Sequence, residues 1–168
     1  RLARAIDTWM GAGRHFVVRL APNDVQRNVA ARLAAMPAGE RAHWEGVLAR
    51  SGADRDSLTF LALSLDSAGA PIGVANTDVA TRLFLGDPLR GAIDRAVVRR
   101  DVSHFVRAFP VGLFIDGVGP VVANDAYATP KVWSDFVRDQ YHAPRVAWGR
   151  EVNLFLLGVA YQARVGGA

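Results

Sequence analysis

The sequence contains no cysteine. That excludes disulfide frameworks, thiolate-bound zinc and thiol catalysis together. Lysine is nearly missing as well: Lys131 is the only one, and the rest of the 20 basic residues are arginine. The formal charge of +4 would suit a polyanionic partner. However, Arg14, Arg19, Arg27, Arg32, Arg41, Arg50 and Arg55 are strung out along the chain. A nucleic-acid face gathers its cations among aromatics, so nucleic acid is not an expected partner. No apolar run reaches the roughly 18 residues a membrane span needs, no segment reads as a signal peptide, and no block of like charge marks a solvated tail. These features favour a cytoplasmic location while leaving export open, and no membrane attachment is expected.

Half of the 168 residues are hydrophobic, enough for one domain with a real core. Residues 1–168 read as a single domain. The opening "RLARAIDTWM" is already inside a helical pattern and lacks an initiator Met, and "ARVGGA" follows directly on a helix. The expectation is a fragment of a larger protein.

Leu2 to Met10 reads as the end of a helix stopped by "GAG", and "HFVVRLAP" as a short strand. A helix capped by Asn23 or Asp24 runs to about Met36, with Val25, Val29, Leu33 and Met36 on one face. Pro37 ends it. A second helix, "AGERAHWEGVLARSG", buries Trp44, Val47 and Leu48 and stops at Gly52. The period then changes: "SLTFLALSLD", a turn at "SAGAP", and "IGVANTD" form a β-hairpin. Helical spacing returns in "VATRLFLGD" and "PLRGAIDRAVVRRD". Glycines 112, 117 and 119 break up the next stretch. "TPKVWSDFVRDQ" is a helix with Thr129 at its N-cap and Pro130 in its first turn. The last helix, about Val146 to Arg164, is apolar nearly all round, which implies cover on every side and a place in an inner layer. The fold class is mainly α, with helical hairpins and an inserted β-hairpin.

Chemistry-bearing residues concentrate towards the C-terminus. Glu151 stands at the start of the apolar helix, whose positive end favours a carboxylate. A general acid must also hold its proton, which needs apolar surroundings or a second carboxylate. The plainer role is an ion pair with Arg150 or Arg145. Asp125, in "VVANDAYATP", is either a turn former or a ligand-binding carboxylate at the edge of the core. Asn76 and Asp78 lie in a polar loop between strand and helix, as caps or as pocket lining. Asn124, Tyr127, Tyr141, His142, Trp148 and Arg150 surround the two carboxylates in sequence. Aromatic faces beside carboxylates suit sugar rings, which have an apolar CH face and a hydroxyl rim. No spacing of His, Asp and Glu makes a metal site, no serine lies in a nucleophile elbow, and "GAG" is too short for a phosphate loop. Neither a metal nor another cofactor is expected.

Three segments together, "TFLALSLDSAGAPIGVANTDVATRLFLGDP", "FPVGLFIDGVGPVVANDAYA" and "YHAPRVAWGREVNLFLLGVA", resemble the six-hairpin glycosidase superfamily. The resemblance is strongest to its bacterial glycogen-debranching, amylo-α-1,6-glucosidase-like type, and it spans roughly Leu58 to Tyr161 in the right order. It implies part of an (α/α)6 toroid, cut from a larger catalytic domain, that hydrolyses an α-glucoside or related glycan with an acid–base carboxylate pair. On that resemblance Glu151 falls at the acid position after Trp148, with Tyr141 and His142 before it, and Asn76 and Asp78 fall in the turn that lines the sugar pocket; the base is expected to be Asp125 or a residue beyond the fragment, and Asn124, Tyr127, Tyr141, His142, Trp148 and Arg150 are the further residues expected to hold an oligosaccharide. The family's usual residue at the Glu151 position is Asp, the spacer from His142 to Trp148 is one residue longer here, and Gly149-Arg150 replaces the usual pair. The alternative is a non-catalytic helical module that binds carbohydrate or protein.

Overall fold

The computed structural model describes residues 16–86, 92–139, 141–144 and 146–166. The expected helix at Leu2–Met10 and the proposed ion-pair partner Arg145 lie outside them. Strand β1 (Val17–Leu20) leads into helix α1 (Pro22–Ala34). Pro22 sets the start of α1: it has no N–H to lose in the first turn, and its fixed φ suits a helix. The N-cap is therefore Ala21 rather than the expected Asn23 or Asp24, and no side chain caps it. Val25, Val29, Leu33 and Met36 are buried along one side. Helix α2 (Ala38–Ser51) ends at Gly52 with φ 59°, the left-handed turn that glycine supplies without strain. Trp44, Val47 and Leu48 are only half-buried. α2 thus leans on the core, with Trp44 meeting Phe109 edge-on at 4.6 Å.

The stretch read as one hairpin divides between two pairings. β2 (Leu58–Leu61) pairs antiparallel with β1, from Val17 opposite Leu61 to Leu20 opposite Leu58. Its alternation sends Leu58 and Phe60 into the core. The hairpin proper is β3 (Ser64–Leu65) with β4 (Pro71–Ile72). Its turn is held by Asp66, whose Oδ1 accepts from Ala68 N and Ala70 N at 2.9 Å each. β5 (Ala75–Asn76) then pairs with β8 (Ala123–Asn124), while β6 (Phe114–Ile115) and β7 (Gly119–Pro120) form a second hairpin between them. Gly73 is required where β4 passes the β8 loop: a Cβ there would sit 2.1 Å from Tyr127 O.

Helix α3 (Val79–Leu85) follows β5, and α4 (Arg95–Val106) is capped by Asp94, whose Oδ1 accepts from Ala96 N at 2.8 Å. α5 (Pro130–Arg138) starts after Thr129 and has no fully buried residue. α6 (Gly149–Val165) has Trp148 at its N-cap. The described residues therefore hold six α-helices and four two-stranded antiparallel sheets. None of these helices is long and apolar enough to cross a membrane.

The expectation that the last helix is covered on every side is not met among the described residues. α6 packs on α3 by a single stripe of Glu151, Phe155, Gly158 and Gln162, while Leu156 and Leu157 are 59% and 56% exposed. The packing is close. Gln162 Nε2 donates to Leu83 O at 3.0 Å, its Oε1 accepts from Ile93 N at 2.9 Å, and Phe155 stacks on Phe105 with centroids 4.3 Å apart. A Cβ on Gly158 would fall 2.7 Å from both Leu83 Cβ and Phe84 N.

Two outcomes follow from this core. Gly158→Ala forces α6 away from α3, and because one obstructing atom is backbone the cost is about 2 kcal/mol or more, read as a lower melting temperature. The second concerns His104, fully buried on α4 beside Phe60. Neither ring nitrogen makes a hydrogen bond of good geometry among the described residues. Burial lowers its pKa from 6.5 to about 4, helped by the nearby Arg107 and Arg100 charges and opposed by the Asn76 backbone. Between those values the unfolded chain binds a proton that the folded chain refuses, so stability falls as pH drops through the window. Denaturant melts at pH 7 and pH 5 should differ by on the order of 2 kcal/mol from this group. His104→Leu should remove that part of the difference.

Candidate functional site

Glu151 is the third residue of α6, which the Gly158 contact holds with this side inward. Its side chain is buried, with the residue 4% exposed. Both ion-pair contacts arrive on one oxygen: Arg150 Nε donates to Oε1 at 2.8 Å, and the guanidinium's terminal nitrogen lies 2.7 Å from it. Oε2 is buried and has no hydrogen-bond partner among the described residues. Such an atom is costly to leave unmade. The Arg150 side chain is itself largely in solvent, lying over the Trp148 ring at 5.1 Å.

Trp148, the N-cap of α6, gathers the other C-terminal candidates. Tyr141 lies 4.6 Å from it, His142 5.4 Å, and Tyr141 and His142 are 4.9 Å apart. Tyr141 and His142 are exposed. Asp139 holds the turn that carries them, its Oδ1 accepting from Tyr141 N at 2.8 Å and His142 N at 2.9 Å. Those two N–H groups, and then the His142 ring, hold the Asp139 carboxyl below its usual range. The result is an open aromatic group one helical turn from a buried carboxylate.

The other candidates are spent inside the fold. Asp125 is 1% exposed, and Arg32 grips both of its oxygens, Nε to Oδ1 at 2.8 Å and a terminal nitrogen to Oδ2 at 3.2 Å. Trp133 Nε1 donates to the Asp125 carbonyl at 2.9 Å, and the Arg32 guanidinium lies 5.3 Å from the Trp133 ring. Asn124 Nδ2 donates to Pro110 O and Gly112 O, both at 2.8 Å, and its Oδ1 accepts from Ala126 N. Tyr127 donates its hydroxyl to Val111 O at 2.6 Å, and burial pushes that phenol well above its ordinary range. Asn76 reaches Leu61 O at 3.1 Å and accepts from Asp78 N at 2.9 Å. In this geometry Asn124 and Tyr127 brace backbone, and Asn76 does so while also lining the cleft beside Asp78. Asp78 differs: it is exposed and lines that cleft, of about 220 Å³, with Arg82.

The sequence reading passed over Arg32 as one arginine in a dispersed set, and nothing in its spacing pairs it with a residue 93 positions away. It also passed over Asp101, buried on α4 and bonded by Arg82 and by Arg100 Nε. Asp101 falls three residues before His104, a helical spacing that does place both on one face of α4. Among the described residues no three His, Cys, Asp or Glu side chains gather as a metal site. No protein-family model, curated protein or solved structure matches this chain.

Asp125→Asn tests the structural reading of the candidate base. It leaves Arg32 uncompensated beside a buried amide, and removing one partner of a buried pair costs on the order of 3 kcal/mol. The expected result is a markedly lower denaturation midpoint.

Proposed function

We propose that this chain is the glycan-handling part of a glycoside hydrolase-like (α/α)6 toroid, with Glu151 as the carboxyl that protonates the leaving oxygen. One observation carries the reading: the inner oxygen of Glu151 is buried and unengaged, next to the Trp148, Tyr141 and His142 group. Side chains that only order a helix start make their hydrogen bonds, as Asp94 does at α4. An oxygen left without one has room to carry the proton that a general acid delivers to a leaving group. The aromatic faces beside it match the CH face of a hexose, and the guanidinium of Arg150 and the imidazole of His142 match its hydroxyl rim.

Inverting glycosidases set a second carboxylate roughly 6.5–9.5 Å from the acid to activate water. Asp125 does not suit that role as it stands, because a base needs a lone pair facing water and both its oxygens face Arg32. Its role in this reading is to fix the loop between β8 and α5. The second reading, a carbohydrate- or protein-binding module without catalysis, is favoured by the double hold of Arg150 on Glu151 and by the openness of the aromatic group.

The two readings part at Glu151→Gln. In the protein that carries this chain, hydrolysis of a branched α-glucan should fall by at least about a hundredfold, the scale of a lost general acid. Oligosaccharide affinity, measured by calorimetry, should stay within about threefold. Turnover equal to that of the parent protein overturns the catalytic assignment; binding without turnover in the parent selects the module.

A further inference from the structure

A cavity of about 610 Å³ opens between α1, α2, the β6–β7 hairpin and α5. Neither Glu151 nor any member of the Trp148 group lines it. Its floor is apolar and buried, made by Met36, Phe109 and Val121. Trp44 of α2 and Phe136 of α5 add aromatic rings to the lining, and Val118 and Val137 in it are exposed. The helix that closes one side, α5, has no fully buried residue, so its apolar face looks onto the cavity rather than into a packed core.

The charged side chains of the lining decide what it can take. Arg32 is neutralised by both oxygens of Asp125. Asp139 receives two backbone N–H groups and the His142 ring. Glu40 is engaged as well. Among the described residues the lining thus offers an anion no cation that is not already paired, and an anionic ligand would lose hydration without a partner. Its volume lies in the range of small-molecule sites, roughly 300–1,000 Å³, which are walled mainly by hydrophobic and aromatic groups.

We infer that this cavity is a binding site for an uncharged, ring-bearing apolar small molecule, seated against Trp44 and Phe136 over the Phe109 floor. The inference does not depend on the hydrolase reading. A ring of this kind gains contact with those aromatic rings and displaces water from a surface that cannot hydrogen-bond it well.

The probe is N-phenyl-1-naphthylamine, which is uncharged and brightens in apolar surroundings. Titration should show saturable binding to one site, with energy transfer from tryptophan. Its anionic analogue 8-anilinonaphthalene-1-sulfonate should bind at least tenfold more weakly. Ala147→Trp fills the mouth from an exposed position, and Phe136→Asp puts a bare charge on the wall; each should weaken the neutral probe at least tenfold with an unchanged circular dichroism spectrum. Leu156→Glu, on the exposed face of α6, should leave binding intact. Non-saturable binding, equal affinity in both cavity variants, or loss of the signal in Leu156→Glu overturns the inference. So does sedimentation showing a dimer that Phe136→Asp dissociates without probe, since a second copy would then be the occupant.

Discussion

The middle of this structure depends on two buried asparagines set diagonally on one short ladder. Strands β5 and β8 are two residues each, with Ala75 opposite Asn124 and Asn76 opposite Ala123. A ladder so short is marginal alone. Each asparagine lengthens its reach in the same way. Its oxygen accepts the N–H two residues on, forming the turn, and its amide donates to distant backbone carbonyls, of β2 for Asn76 and of the loop before β6 for Asn124. Thr77 extends the pairing, its N–H and hydroxyl both directed at Val122 O. The residue type is dictated by this geometry: aspartate would present only acceptors to carbonyl oxygens. Asp78 stands two positions past Asn76 and Asp125 one position past Asn124, where the chain is turning away.

From that junction the two halves of the chain are committed to each other. Asn76 ties it to β2 through Leu61 O, and Asn124 ties it to the loop before β6 through Pro110 O and Gly112 O. α3 leaves directly after β5, and its position fixes α6, because Gly158 admits the α3 backbone at a distance no side chain permits. The direction of Glu151 is therefore set by a chain of contacts that begins at Asn76. Arg32 and Trp133 complete the other side, binding α1 and α5 to the Asp125 loop.

Much of this was legible in the residues. The face of α1, the glycine stop of α2, Thr129 and Pro130 at the start of α5, and a hairpin turning on "SAGAP" are local matters of period and cap chemistry. What escaped was non-local. β2 alternates correctly, yet no property of "SLTFLALSLD" says that half of it pairs with residues 17–20. "VANTD" and "VANDA" look like loop residues free for a ligand because their amide partners are carbonyls up to 15 positions away. Periodicity also reported that α6 is apolar on every side, which is true of its composition. Coverage is another matter: the described residues bury one stripe and leave Leu156 and Leu157 to water, an apolar patch of the kind that marks an interaction face.

Among the described residues three carboxylates, Asp101, Asp125 and Glu151, are buried, and sequence alone gives them similar surroundings: each is next to Arg or Asn and close to an apolar helix. Their chemistry is separated only by how their oxygens are used. Asp125 is gripped on both by one guanidinium, and Asp101 on both by two, Arg82 and Arg100. Both hold helices and loops together, and with each oxygen gripped by a guanidinium and shut away from solvent neither faces a substrate. Glu151 has the same burial and also has an arginine, but Arg150 is its chain neighbour and spends both contacts on Oε1. A neighbour in sequence cannot wrap around to the inner oxygen as Arg32 does from across the core. Among the described residues the inner oxygen stays unsatisfied because the cation that reaches Glu151 comes from outside, and that asymmetry is what sets the mouth of α6 apart from the two structural ion pairs.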